Sequence, residues 1–292
     1  MNDQAQVLRT LVANNMGNEP LETNGNMKVI TVASGKGGVG KSNLSVNLAL
    51  ALKELGKKPI ILDADFGLAN VEIILGERPK YNLSHLLNEQ CEIKELVTQS
   101  KYDISFISGG SGIKEMLFLT PAQIEKVSRA LASLEEVGDL LVVDTGAGIN
   151  EIVLKFCKLA QEVYIVITPE PTSITDGYAL IKTIASHMVE KVKINIIINK
   201  AVSKQEAVQV FQNLQGVAKA FLSLDIHYSG FVPYDEKLFM AGKAQVPISI
   251  YDKKAKSSVA YKEIAKCICE MPVENESTRG HWLNRFKGLF SH

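Results

Sequence analysis

Short, continuous runs of Val, Ile and Leu recur along residues 27–271, separated by segments whose apolar positions repeat at helical spacing. The runs 29–33, 59–62, 104–107, 140–143, 163–168, 194–198 and 228–232 read as strands. Most are dominated by Val, Ile and Leu rather than alternating, the pattern of parallel strands covered on both faces. Helical patterns intervene at 43–55, which reads as amphipathic, and at 84–89, 121–135, 150–158, 174–188, 205–216, 235–241 and 256–270. This rhythm predicts an α/β domain with a doubly wound, mostly parallel sheet, helices on both faces and a ligand at the C-terminal ends of the strands. Residues 1–26 fall outside the rhythm, as a short helical pattern (2–13) and an Asn/Gly/Glu/Pro-rich linker (14–26). Residues 272–292 form a second linker and a tail.

Composition narrows the class. Lys+Arg and Asp+Glu both number 32 in 292 residues, so the overall charge gives no expectation of direct nucleic-acid binding. No apolar run approaches the roughly 20 residues of a membrane span, and the polar N-terminus is not a secretory signal, so the cytoplasm is the default compartment. Of four cysteines, only Cys267 and Cys269 form a C-x-C, within a helical pattern where alternate positions diverge. Free thiols are the expectation.

The chemistry begins at Gly35-Lys36-Gly37-Gly38-Val39-Gly40-Lys41-Ser42, a phosphate-loop pattern between a strand and a helix. Gly35, Gly37, Gly38 and Gly40 let backbone N–H groups close on a polyphosphate at the helix N-terminus, with Val39 and Asn43 completing the lining. Lys41 reaches the β/γ oxygens, and Ser42 offers a hydroxyl to Mg²⁺. Asp63 and Asp65 end the second strand on one side of it. We assign Asp63 to the outer shell of Mg²⁺ and Asp65 to orienting the attacking water; the alternative is a solvated turn whose acids cap a helix. Asp144 ends the apolar strand 140–143 as a second metal carboxylate, and Gly148 offers a backbone N–H to the terminal phosphate. Asn199 closes another strand, either as a turn residue or as an amide reading a purine edge, with Pro233 and Asp235 walling the base.

With these motifs in place, the chain resembles the MinD/ParA group of deviant Walker A P-loop ATPases over nearly its whole length. It is most similar to the flagellar branch (FlhG, also called FleN or YlxH), on Thr168-Pro169-Glu170-Pro171-Thr172-Ser173-Ile174-Thr175-Asp176 and the N-terminal Asp3-Gln4-Ala5-Gln6-Val7-Leu8-Arg9. The resemblance implies ATP and Mg²⁺ as ligands, a homodimer that sandwiches nucleotide, and slow hydrolysis that resets it to monomer. It also implies a catalytic role for the signature lysine, Lys36, reaching across to the other subunit's phosphates, alongside Lys41 and Asp65. For the branch it implies stimulation of the signal-recognition-particle-like GTPase FlhF by the N-terminal element (Asp3, Gln4, Leu8, Arg9), contacts with flagellar switch components, and control of flagellar number or placement. Asn150 departs from the Glu common in MinD-like sequences. The rival readings are a ParA-type DNA or cargo partition ATPase and a transcription co-regulator that uses ATP as a structural ligand.

Both ends read as interaction devices. Trp282, Leu283, Phe286, Leu289 and Phe290 share one face of a helix, with Arg279, Arg285 and Lys287 basic and no acid after Glu276. That pattern suits an anionic membrane surface, at the inner face of the cell membrane in the ATP state, or else packing on the body's own core. The N-terminal dozen residues are either a frayed terminus or a tethered peptide for a partner groove.

Overall fold

In the computed structural model, which describes residues 27–66, 70–110, 120–187, 192–270, 285, 287 and 288, the apolar runs join into one sheet. Its strands are β1 (Lys28–Ser34), β2 (Pro59–Ala64), β3 (Thr98–Gln99), β4 (Ser105–Ile107), β5 (Leu140–Ala147), β6 (Glu162–Ile167), β7 (Lys193–Ala201) and β8 (His227–Pro233). They lie in the order β3-β4-β2-β5-β1-β6-β7-β8, all pairs parallel except β3 with β4. The doubly wound α/β expectation holds. Chain direction across the sheet reverses beside β1, so the loop after β1 opens at the crevice where such folds bind ligands.

The helices are α1 (Lys41–Glu54), α2 (Asn70–Leu75), α3 (Leu83–Leu87), α4 (Ile93–Leu96), α5 (Pro121–Ser133), α6 (Glu151–Leu159), α7 (Pro171–His187), α8 (Lys204–Leu222), α9 (Glu236–Lys243), α10 (Ile248–Tyr251) and α11 (Lys256–Glu270). Successive strand residues point to opposite faces, so the core lies on both sides of the sheet. Val29 and Ala33 join Phe156 of α6, Leu180 and Ile184 of α7, and Phe211 of α8. Ile30 and Val32 join Leu44, Leu48 and Leu52 of α1 and Tyr261, Ile264 and Ile268 of α11.

α1 differs from the amphipathic helix expected. Every residue from Leu44 to Leu52 is buried, because α11 and α2 pack over it on the sides the sheet does not cover. The short elements α2, α4, α10 and β3 have no counterpart among the predicted ones; two to six residues carry too little periodicity to register. Among the described residues no helix is long and apolar enough to cross a membrane. Cys91, Cys157, Cys267 and Cys269 are free. The N-terminal residues Asp3, Gln4, Leu8 and Arg9 and the tail residues Trp282, Leu283, Phe286, Leu289 and Phe290 lie outside the described residues; 285, 287 and 288 are helical.

Candidate nucleotide site

Four strand ends supply the site: β1 the loop, β2 and β5 the carboxylates, and β7 the pair Asn199-Lys200. The turn from β1 into α1 runs through two left-handed glycines, Gly38 (φ 75°) and Gly40 (φ 95°), a conformation that costs other residues more. Gly35 is needed for closeness instead: a Cβ there would lie 2.1 Å from the Asp176 carbonyl oxygen of α7. Ser34, which the motif reading passed over, ties the turn together. Its hydroxyl donates to the Lys36 carbonyl (2.7 Å) and accepts from Lys41 Nζ (2.9 Å), and its carbonyl accepts the Gly148 N–H (2.9 Å). Lys41 is buried, and desolvation lowers its pKa while Asp144 and Asp65 pull it back up.

Asp63 and Asp144 stand opposite each other in register on β2 and β5. Asp144 is fully buried; its Oδ1 accepts from Ser45 Oγ at 2.8 Å, and its Oδ2 has no hydrogen-bond partner among the described residues. Burial raises its pKa to about 6, restrained by the Ser42 and Ser45 hydroxyls and by Lys41. An orphaned, buried carboxylate oxygen beside a serine hydroxyl, at the mouth of a glycine cradle, fits a Mg²⁺–phosphate ligand. Asp63 is used differently. Oδ1 accepts the Asp65 N–H (3.1 Å) and Oδ2 accepts the Val71 N–H (3.0 Å), so its carboxylate ties Asp65 to the start of α2. This is the capping part of the alternative that the sequence left open, with the carboxylate buried rather than solvated. Burial, then Asp144, push Asp63 up to about 8. Asp65 is half-buried, 3.4 Å from where a Cβ on Gly146 would stand, with Asn70 Nδ2 3.4 Å from its Oδ2.

Lys36 does not point at the loop's own cradle. Its ammonium binds Glu170 Oε2 and Thr172 Oγ1, both at 2.8 Å, at the start of α7. Gly148 (φ 91°) has its N–H on Ser34 rather than turned toward a phosphate. Asn150 caps α6 by accepting the Val153 N–H at 3.0 Å. A cavity of about 610 Å³ adjoins the loop, lined by Gly38, Gly40, Asn43, Asn199, Lys200, Pro233, Tyr234, Asp235 and Phe239 among others. Asp235 both caps α9, through the Lys237 N–H, and accepts from the Ser257 N–H and hydroxyl. The sequence reading gave no site role to Ser34, Ser45, Glu170, Thr172 or Lys200, although Glu170 and Thr172 lie in the segment 168–176 that carries the resemblance and Lys200 adjoins Asn199 at a strand end.

Comparison with known proteins settles the ancestry of this geometry. Residues 26–269 match the ParA family model, described as "NUBPL iron-transfer P-loop NTPase". The chain belongs to the ParA/MinD family of P-loop NTPases. Among curated relatives, it is 39% identical to the antiactivator FleN of Pseudomonas aeruginosa over 87% of this chain and 90% of that one. It is 36% identical to the flagellum site-determining protein YlxH of Helicobacter pylori, over 80% of this chain and 78% of the relative. Among solved structures, MinD in the MinC:MinD cell division complex of Aquifex aeolicus superposes with TM-score 0.67 at 26% identity, covering 85% of this chain and 98% of that one. Pyrococcus horikoshii MinD complexed with Mg-ADP gives TM-score 0.68 at 20% identity, over 84% and 96%, a likeness of fold.

Proposed function

We propose that this chain is a MinD-like switch that hydrolyses ATP, closes into a homodimer around the nucleotide, and in that state engages an anionic membrane surface and flagellar partners. The observation that carries the reading is the convergence of Lys41, Ser42, Asp144 and Asp65 at the mouth of the β1–α1 turn. Likeness to FleN and YlxH supports the flagellar assignment.

On this reading, the loop N–H groups and Lys41 hold the triphosphate, while Ser42 and Asp144 hold Mg²⁺, which lends positive charge to the phosphate oxygens. Asp63 holds Asp65 against the start of α2, and Asp65 orients water toward the terminal phosphate. Lys36 leaves Glu170 and Thr172 to reach the partner subunit's phosphates. Gly148 exchanges Ser34 for the terminal phosphate and so couples the β5–α6 turn to nucleotide state. The tail helix of each protomer docks its Trp282–Phe290 face on membrane. Two tails per dimer bind far more tightly than one, through effective concentration. The N-terminal element stimulates an FlhF-type GTPase, and hydrolysis releases the assembly.

The test is sedimentation of the full chain with anionic liposomes in Mg-ATP and in Mg-ADP, beside a chain ending at Thr278. ATP-dependent pelleting that the truncation abolishes is expected. Equal pelleting in both nucleotides would overturn the switch.

A further inference from the structure

We infer that Asn199 and Lys200 form a clamp that positions the phosphate loop; the inference rests on the nucleotide-binding reading above. Three observations converge. First, the register of β7 on β8 shifts between Asn199 and Ala201, leaving Lys200 as an inserted residue. Lys200 adopts φ 59°, the left-handed region that side-chain-bearing residues avoid. A bulge of this kind re-aims a side chain, and strain kept at a strand end beside a ligand cavity points to use there.

Second, the bulge sends the Lys200 ammonium onto the loop, where Nζ donates to the Gly38 carbonyl at 2.8 Å. Third, the neighbouring amide grips the same loop. Asn199 Nδ2 donates to the Val39 carbonyl at 2.6 Å, while its Oδ1 accepts the Lys200 N–H at 2.9 Å. One side chain thus satisfies the amide that the bulge removes from the ladder and grips the loop as well. The fit is close: a Cβ on Gly40 would lie 2.4 Å from Asn199 Nδ2.

The two grips fall on successive carbonyls, Gly38 and Val39. A carbonyl held outward by a donor leaves the loop's N–H groups free to face inward, toward an anion. The clamp therefore orients donors for phosphate, whichever base is attached. Lys200 and Asn199 also line the 610 Å³ cavity, so the same pair joins its floor to the loop.

The experiment measures equilibrium binding of magnesium complexes of N-methylanthraniloyl-ATP and -GTP to the full chain and its variants. Lys200→Met is expected to weaken both nucleotides by the same factor, about tenfold for one charge-assisted hydrogen bond. The ATP:GTP ratio stays at its wild-type value, and Lys200→Arg restores most of the loss. Lys200→Gly separates the clamp from a merely structural role: it relieves the left-handed strain, so its thermal midpoint equals or exceeds wild type while its nucleotide affinity still falls. Wild-type affinity in both Lys200→Met and Lys200→Gly overturns the clamp. So does a change in the ATP:GTP ratio in Lys200→Met, which would make Lys200 a base reader. Failure of the wild-type chain to bind either nucleotide overturns the nucleotide reading itself, and the clamp with it.

Discussion

Asp63 and Asp144 face each other in register across adjacent parallel strands, each pushed above the usual carboxylate range, to about 8 and about 6. Burial is the first cause for both, and Asp144 further raises Asp63. Unfolded carboxyls titrate near about 4. Between there and their raised values the folded, nucleotide-free protein binds protons that the unfolded chain does not. Its stability therefore rises as pH falls from about 8 toward 4. Mg²⁺ requires the ionised form of Asp144, so Mg-nucleotide affinity should move the other way and drop below pH about 6. Thermal scans without nucleotide at pH 8, 7 and 6 check the first part: Asp63→Asn should flatten the trend. A wild-type midpoint that falls with pH over this range would refute it.

Lys41 is the one buried cation at the loop, so Lys41→Ala should weaken Mg-ATP by at least about 3 kcal/mol and abolish measurable heat in titration calorimetry. Asp65→Ala should bind ATP normally and slow single-turnover hydrolysis by a factor of about 100 or more. ATP dimers should then accumulate in sedimentation velocity. Wild-type hydrolysis by this variant would remove Asp65 from the mechanism.

Two glycines of the loop should respond oppositely to a methyl group. At Gly35 the added Cβ meets a backbone oxygen of α7 at 2.1 Å, and neither side yields cheaply. Gly35→Ala should cost about 2–3 kcal/mol, read as a lowered denaturation midpoint. At Gly37 the nearest atom is Ala147 Cβ at 3.8 Å, and Gly37→Ala should stay within about 0.5 kcal/mol of wild type.

Glu170 holds Lys36 in a partly exposed ion pair, and such pairs add little to stability. Glu170→Gln should leave the thermal midpoint unchanged while lowering the ATP concentration needed for dimer formation, because Lys36 no longer has to leave a charged partner. Light scattering across an ATP titration reads this directly. An unchanged titration would mean that the pair does not restrain Lys36.

Long elements and the glycine-lined turn were legible in the sequence because their signals are local. β5 and β6 announce themselves as unbroken apolar runs, β1 and β7 as runs interrupted once, by Thr31 and Asn195, and Gly35–Ser42 as a spacing. What escaped depends on distant partners. Nothing near Asp63 says that its oxygens would be taken by Asp65 and Val71; that follows from where α2 starts. Nothing near Lys36 names Glu170, 134 residues away. α1 looked two-faced because its outer cover, α11, lies more than two hundred residues later in the chain. Asn199 was found by its place at a strand end, but its role turned on a bulge one residue further on, which no composition signals.

β1 lies inside the sheet, with β5, β2, β4 and β3 on one flank and β6, β7 and β8 on the other. Peeling from either rim must remove three or four strands before reaching it. Its amides should thus exchange with solvent deuterium only when the whole domain opens, and the loop hangs from the last part of the molecule to give way. Partial unravelling at the β3–β4 margin, by heat or by a protease, would leave the nucleotide grip standing, whereas loss of β8 and β7 would take the Asn199–Lys200 clamp with it.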